Sequence, residues 1–67
     1  MTILYNDQPI QLPEDNMTIA DLAKWKHLPE QGTAIALNDK LVTKAKWSVT
    51  QLNELDRITF ITAAFGG

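Results

Sequence analysis

The sequence predicts an α+β domain, a mixed sheet of four to five strands packed on one helix, and three observations carry that prediction. Short runs of alternating character lie near both ends, at Thr2 to Asn6, Ile10 to Leu12 and Arg57 to Ala63. One helix-start signal stands at Thr18, followed by apolar positions at helical spacing. Between them, Thr33 to Leu37 is an apolar run bounded by turn residues, as expected of a central strand.

In the first run, Ile3 and Tyr5 share one face and Leu4 takes the other, and Asn6-Asp7-Gln8-Pro9 supplies turn chemistry. With Ile10 to Leu12 behind that turn, and Pro13 to close it, the segment predicts an N-terminal β-hairpin. Thr18 is placed to accept from the backbone N–H of Asp21, which occupies the acidic position of a capping box. Met17 and Leu22 flank this cap as a hydrophobic staple, while Ile19, Leu22, Ala23 and Lys26 follow helical spacing. His27-Leu28-Pro29 ends the helix, because proline lacks a donor and drives its predecessor out of the helical region. Within Thr33 to Leu37, Ile35 and Leu37 are expected on the buried face. Asn38-Asp39-Lys40 then turns into a short strand at Leu41-Val42, and the polar segment through Trp47 predicts no regular element. In the last strand Ile58, Phe60 and Thr62 share one face, and Thr59, Ile61 and Ala63 the other. The resulting order, ββαβ(β)β, is the β-grasp plan of ubiquitin-like domains, a single domain over residues 1–67 with a flexible tail at 64–67.

Composition narrows the possible functions. A chain of 67 residues holds one core and buries only ~60% of the surface its unfolded form exposes, which argues against a deep substrate cleft. With 45% hydrophobic and 21% charged residues it has the balance of a globular domain. Cysteine is absent, which excludes disulfides, thiolate metal sites and a side-chain thiol nucleophile. No basic region precedes an apolar run at Met1 to Ile10, and no apolar stretch is long enough to span a bilayer, so the cytoplasm is the expected compartment and no membrane is expected as a partner. A net charge of -2, with lysines scattered at positions 24, 26, 40, 44 and 46, offers no footprint for nucleic acid. Asp7, Glu14, Asp15 and Asp21 make the first part of the chain acidic, a pattern that fits solvated loops.

Few side chains invite a chemical reading. His27 is the only histidine and stands without companion ligands, near a helix C-terminus where its partial charge suits the dipole. Ser48, His27 and Asp56 spell a hydrolase triad but lack the nucleophile elbow that would position the serine. Gly32 alone makes no phosphate loop. Trp25 and Trp47 are expected to pack in the core, and Glu54 and Asp56 to form a turn. What remains is the terminus, where two of the three glycines in the chain are Gly66 and Gly67. Lacking Cβ atoms, such a tail is thin and adaptable enough to thread into a partner's active site, with its carboxylate held at the tip. Residues 64–67, which include Phe65, are expected to be mobile in the free protein because they offer little apolar area to offset the entropy of ordering.

Five features together resemble the ThiS family of sulfur carriers of bacterial thiamine biosynthesis: Ile3-Leu4-Tyr5-Asn6-Asp7, Thr18-Ile19-x-x-Leu22, Ala34-Ile35-Ala36-Leu37-Asn38, Val42 with Trp47, and Gly66-Gly67. Glu54-Leu55-Asp56 departs from that pattern, since such carriers usually place a glycine in the turn before the last strand. The resemblance implies a carrier rather than an enzyme, with no bound cofactor and no metal. A ThiF-type adenylating enzyme would activate the Gly67 carboxylate with Mg-ATP, and a persulfide donor would convert it to a thiocarboxylate. A ThiG-type thiazole synthase would then consume that sulfur. Three alternatives stay open: a molybdopterin-synthase small subunit, a protein or tRNA-thiolation modifier, and an interaction module that makes no use of its terminus. If Ile58 and Phe60 face the helix, Leu4, Ala36 and Ile61 lie together on the outer sheet face as an apolar patch beside the tail, a candidate partner-binding surface.

Overall fold

The alternating N-terminal run folds as read. In the computed structural model, which describes residues 1–29 and 32–62, strands β1 (Thr2–Tyr5) and β2 (Gln8–Gln11) form an antiparallel hairpin with Ile3 opposite Ile10. Asn6 (φ 48) and Asp7 (φ 67) make its turn. Two successive positive φ values give the turn whose twist matches a hairpin, and Asn and Asp tolerate that conformation better than other non-glycine residues. Strand β2 begins at Gln8 rather than at the expected Ile10, and so takes in Pro9. It is an edge strand, and Pro9 pairs with Leu4 directly after the Tyr5–Gln8 pair that closes the turn. Antiparallel pairs alternate between bonded and non-bonded positions, so the donor that Pro9 lacks would have pointed off the sheet.

Helix α1 (Ile19–Trp25) starts at the expected cap. The Thr18 hydroxyl accepts from Asp21 N–H at 3.2 Å, and the Asp21 carboxylate accepts from Thr18 N–H at 3.0 Å. Hydrogen bonding to the Asp21 carboxylate, from Thr18 N–H first and from the adjacent Thr18 hydroxyl second, holds this carboxyl below the ordinary carboxylate pKa. Met17 and Leu22, the staple residues, are both buried. The helix ends before the proline acts. Lys26 is the C-cap and His27 adopts φ 56; His27 N–H donates to Lys24 O at 3.1 Å and Leu28 N–H to Ala23 O at 2.9 Å. That pair of bonds is a Schellman motif, with histidine at the left-handed position where glycine is usual.

Strands β3 (Thr33–Leu37), β4 (Lys40–Val42) and β5 (Arg57–Thr62) complete a five-stranded mixed sheet of order β2-β1-β5-β3-β4. The turn between β3 and β4 repeats the first one, with Asn38 at φ 51 and Asp39 at φ 71. Opposed pairs put Ile3, Ile35 and Ile58 on the inner face, where they join Ile19, Leu22 and Leu52 as the most deeply buried side chains. The segment expected to be irregular holds a 3₁₀ helix at Lys44–Val49. It exists to seat Trp47, which is 7% exposed and donates its indole N–H to Val42 O at 3.0 Å. Trp47 therefore packs as expected, but Trp25 does not: it is 42% exposed. At 3.6 residues per turn Trp25 lies ~110° from the centre of the Ile19, Leu22, Ala23 stripe, so a core role is out of its reach. Lys26 falls on the stripe yet stays exposed, and extends its ammonium to 4.8 Å from the centre of the Tyr5 ring.

Candidate functional site

The strand that leads to the terminal glycines is the central one. β5 pairs antiparallel with β3 along its whole length, from Leu37 opposite Ile58 to Thr33 opposite Thr62. With β1 it pairs in parallel only at its start, Leu4 with Arg57 and Tyr5 with Ile58. Where β1 turns away, the Asn6 side chain replaces its backbone, and Asn6 Oδ1 accepts from Phe60 N–H at 2.8 Å. On the other flank Asn38 Oδ1 accepts from Arg57 N–H at 2.9 Å, and Asn38 N–H donates to Arg57 O at 2.8 Å. Each hairpin turn thus lends an asparagine to β5. Each also lends an aspartate, since the Arg57 guanidinium lies 3.5 Å from Asp7 and 3.7 Å from Asp39.

The turn before β5 keeps a left-handed residue at the place where a glycine was missed. Leu55 has φ 65, and its backbone is pinned by a 2.7 Å bond from its N–H to Thr2 O. Asp56 closes the loop by accepting from Asn53 N–H at 2.7 Å and from Asn38 Nδ2 at 3.1 Å. Glu54 accepts from Thr2 N–H at 3.1 Å. Glu54 and Asp56 are therefore turn residues, as read. Asp56 is committed to this loop, while His27 caps a helix and Ser48 lies in the 3₁₀ helix, so the triad letters serve separate local structures.

Pairing registers place Leu4, Ala36 and Ile61 on one face, opposite to the helix. Leu4 is beside Arg57, Ala36 beside Thr59 and Ala34 beside Ile61. Ile61 is 46% exposed, whereas Leu4 is largely covered and Ala36 is buried. The short side chain of Ala36 lies in a row between Thr59 and Leu41, so it offers little surface of its own. Leu41 was missed as a member of the patch. It pairs with Ala36 and is 71% exposed, more than any residue proposed there. The signal for it was the two-residue Asn38-Asp39 turn, which sets Leu37 opposite Lys40 and so Ala36 opposite Leu41 on the same face. Phe65, Gly66 and Gly67 lie outside the described residues. Among the described residues no group of His, Asp and Glu is arranged to hold a metal ion, and no helix is long and apolar enough to cross a membrane.

The described residues form a five-stranded mixed sheet, with β5 at its centre and one helix on its inner face. The sequence profile of the ThiS family matches residues 3–67. The chain belongs to the ThiS family. No curated protein matches it significantly in sequence. Among solved structures, it is similar to the crystal structure of the thiamine biosynthesis protein ThiS from Geobacter metallireducens, with a TM-score of 0.87 and 16% identity over 100% of both chains. At that identity the likeness speaks for the β-grasp fold, and family membership rests on the profile. ThiS proteins are small sulfur carriers, and the family match extends through the two terminal glycines of this chain.

Proposed function

We propose that this protein carries sulfur for thiamine biosynthesis on the carboxylate of Gly67, as a substrate of partner enzymes in the cytoplasm. The observation that supports this reading is the family match through Gly67, in a chain whose central strand, β5, ends at Thr62, shortly before that residue in sequence. A carboxylate is a poor electrophile, so activation comes first. An adenylating enzyme of the ThiF type joins the Gly67 carboxylate to the α-phosphorus of Mg-ATP and releases pyrophosphate. Sulfur from a persulfide donor displaces AMP, and a thiol reductant cleaves the sulfur–sulfur bond to leave a thiocarboxylate. A thiazole synthase of the ThiG type then takes the nucleophilic sulfur. Gly66 and Phe65 form the segment that enters the partner's active site, and the outer face of the sheet, which carries Leu4, Ala36, Leu41 and Ile61, is the docking surface.

Position governs this chemistry. Removing Gly67 sets the carboxylate back by about 3.5 Å in an extended chain, and misplacement of about 1 Å already costs large factors in rate. The test is incubation with Mg-ATP, a ThiF-type enzyme and a persulfide donor, read by intact mass. Native protein gains the difference between sulfur and oxygen, and chains shortened or lengthened by one residue at Gly67 do not. Equal modification of the shortened chain would refute the carrier role. A loaded protein that serves a large molybdopterin-synthase subunit but not a thiazole synthase would move it to another pathway.

A further inference from the structure

The ladders of the sheet are of unequal length. β3 and β5 pair from Leu37–Ile58 to Thr33–Thr62, whereas β1 accompanies β5 only as far as Tyr5–Ile58. On that side Asp56 O accepts from Leu4 N–H at 2.9 Å and Ile58 O from Asn6 N–H at 2.8 Å. A strand alternates the direction of its backbone groups, so those of residues 56, 58, 60 and 62 point towards β1 and those of 57, 59 and 61 towards β3. Continued in step, β1 would next donate to Phe60 O and accept from Thr62 N–H. Instead the chain turns at Asn6-Asp7, and Gln8 lies opposite Tyr5 in the hairpin. The Asn6 side chain takes Phe60 N–H at 2.8 Å and ends the ladder there. Among the described residues Phe60 O and the N–H and C=O of Thr62 have no hydrogen-bond partner.

We propose that this open half of the β5 edge, Phe60 to Thr62, takes one extended strand of the adenylating enzyme, which joins the sheet where β1 leaves it. The proposal rests on the carrier reading and specifies how the tail is held. Backbone chemistry selects the occupant, because a donor and acceptors at strand spacing along one line are matched by another extended backbone. Place selects the partner, since Thr62 stands five residues before Gly67, whose carboxylate that enzyme activates. The outer edges of the sheet fit less well. In β2 the outward positions are Pro9 and Gln11, and Pro9 has no N–H to offer. In β4 only Leu41, the middle residue, directs its backbone outward. Register gives the pairing its use. A glycine has no side chain by which a partner could gauge the length of the tail, whereas main-chain bonds at Thr62 fix the chain in steps of two residues. The position of the carboxylate is then set from β5.

Amide exchange of the full chain, alone and in complex with a ThiF-type enzyme and Mg-ATP without a sulfur donor, tests this at single-amide resolution. In the free chain Ile61 N–H, which points to β3, should exchange slowly, and Thr62 N–H within about tenfold of an unstructured peptide. The complex should slow Thr62 by about thirtyfold or more. A synthetic chain with an ester in place of the Thr62 amide loses that donor alone. It should unfold at an unchanged urea midpoint and be adenylated with kcat/KM lowered about fivefold, the worth of one hydrogen bond. The same ester at Ile61 removes a bond to β3 and should lower the midpoint. Thr62 exchange as slow as that of Ile61 in the free chain would mean that the edge is already filled. Fast exchange at Thr62 in the complex, protection at Gln11 or Leu41 instead, or an unchanged kcat/KM for the Thr62 ester would also overturn the proposal, with the carrier reading left intact. A native chain that the enzyme neither binds nor adenylates would remove both.

Discussion

Leu55 shows how one residue can be held against its own preference. A left-handed backbone costs a residue with a Cβ about 1–2 kcal/mol, whereas glycine adopts it freely but loses about 0.5–1 kcal/mol in chain entropy. Leu55 meets that cost at φ 65 with a side chain 61% exposed, so little packing is gained in return. The surrounding bonds to Thr2, Asn53 and Asp56 leave the chain no other path. Replacing Leu55 with glycine is therefore expected to stabilise the fold by about 0.5–1 kcal/mol, the difference of the two terms. Urea unfolding should show a higher midpoint at an unchanged slope. A lower midpoint would mean that the Leu55 side chain contributes packing that its exposure hides. The same residue explains why the departure at Glu54-Leu55-Asp56 does not disturb β5: the turn keeps the geometry a glycine would give, and the following strand starts in register.

At the scale of elements, the two Asn-Asp turns do more than reverse the chain, because each asparagine side chain completes a backbone ladder of β5. For Asn6 the two roles are separable. Asn6→Gly keeps the positive φ and removes the bond to Phe60 N–H, so the hairpin should persist while the Phe60 amide exchanges faster, at a cost of about 1 kcal/mol. Asn6→Ala loses both and should cost more. Exchange at Phe60 that stays as slow as at Ile35 in Asn6→Gly would show that the side-chain bond is dispensable. Most elements were legible because their periods and punctuation agree: the capping box at Thr18, the alternation in β1 and β5, and the run that became β3 with the bounds expected. What was not legible depended on distant partners. The 3₁₀ helix at Lys44–Val49 is polar by composition, and its one anchor, Trp47, reports only that something packs there. Leu52, 1% exposed, lies in a polar stretch and is buried because Leu52 N–H bonds to Met17 O across the molecule. Trp25 was misjudged for the converse reason, since a large aromatic at a helix end is buried only if it falls on the stripe. Of the candidate site, the face shared by Leu4, Ala36 and Ile61 followed from alternation alone, but how much of each is exposed depends on its neighbours, which is why Ala36 is covered and Leu41 stands out.

Across the whole molecule the sheet separates two faces with different duties, and Ile61 and Ile58 test that separation from positions three residues apart on one strand. Ile58 is 1% exposed, and a carboxylate there would be an unpaired charge in the core, enough to unfold a domain whose total stability is on the order of 5 kcal/mol. Ile61 points the other way, opposite Ala34 on the outer face. Aspartate is a poor strand residue, a difference of up to about 1 kcal/mol, so Ile61→Asp should fold with a modestly lower midpoint. If the outer face docks the adenylating enzyme, the same change places a charge in the apolar centre of the interface and should weaken binding at least tenfold, about 1.4 kcal/mol, chiefly through faster dissociation. The terminal carboxylate is untouched, so activation should show a raised KM for the carrier with kcat nearly unchanged. A shortened terminus should do the reverse, binding through the intact face but failing in the chemical step. Ile61→Asp that folds and is activated with an unchanged KM would remove the outer face from the docking surface and leave recognition to the tail. A variant that unfolds like Ile58→Asp would place Ile61 in the core and reverse the two faces.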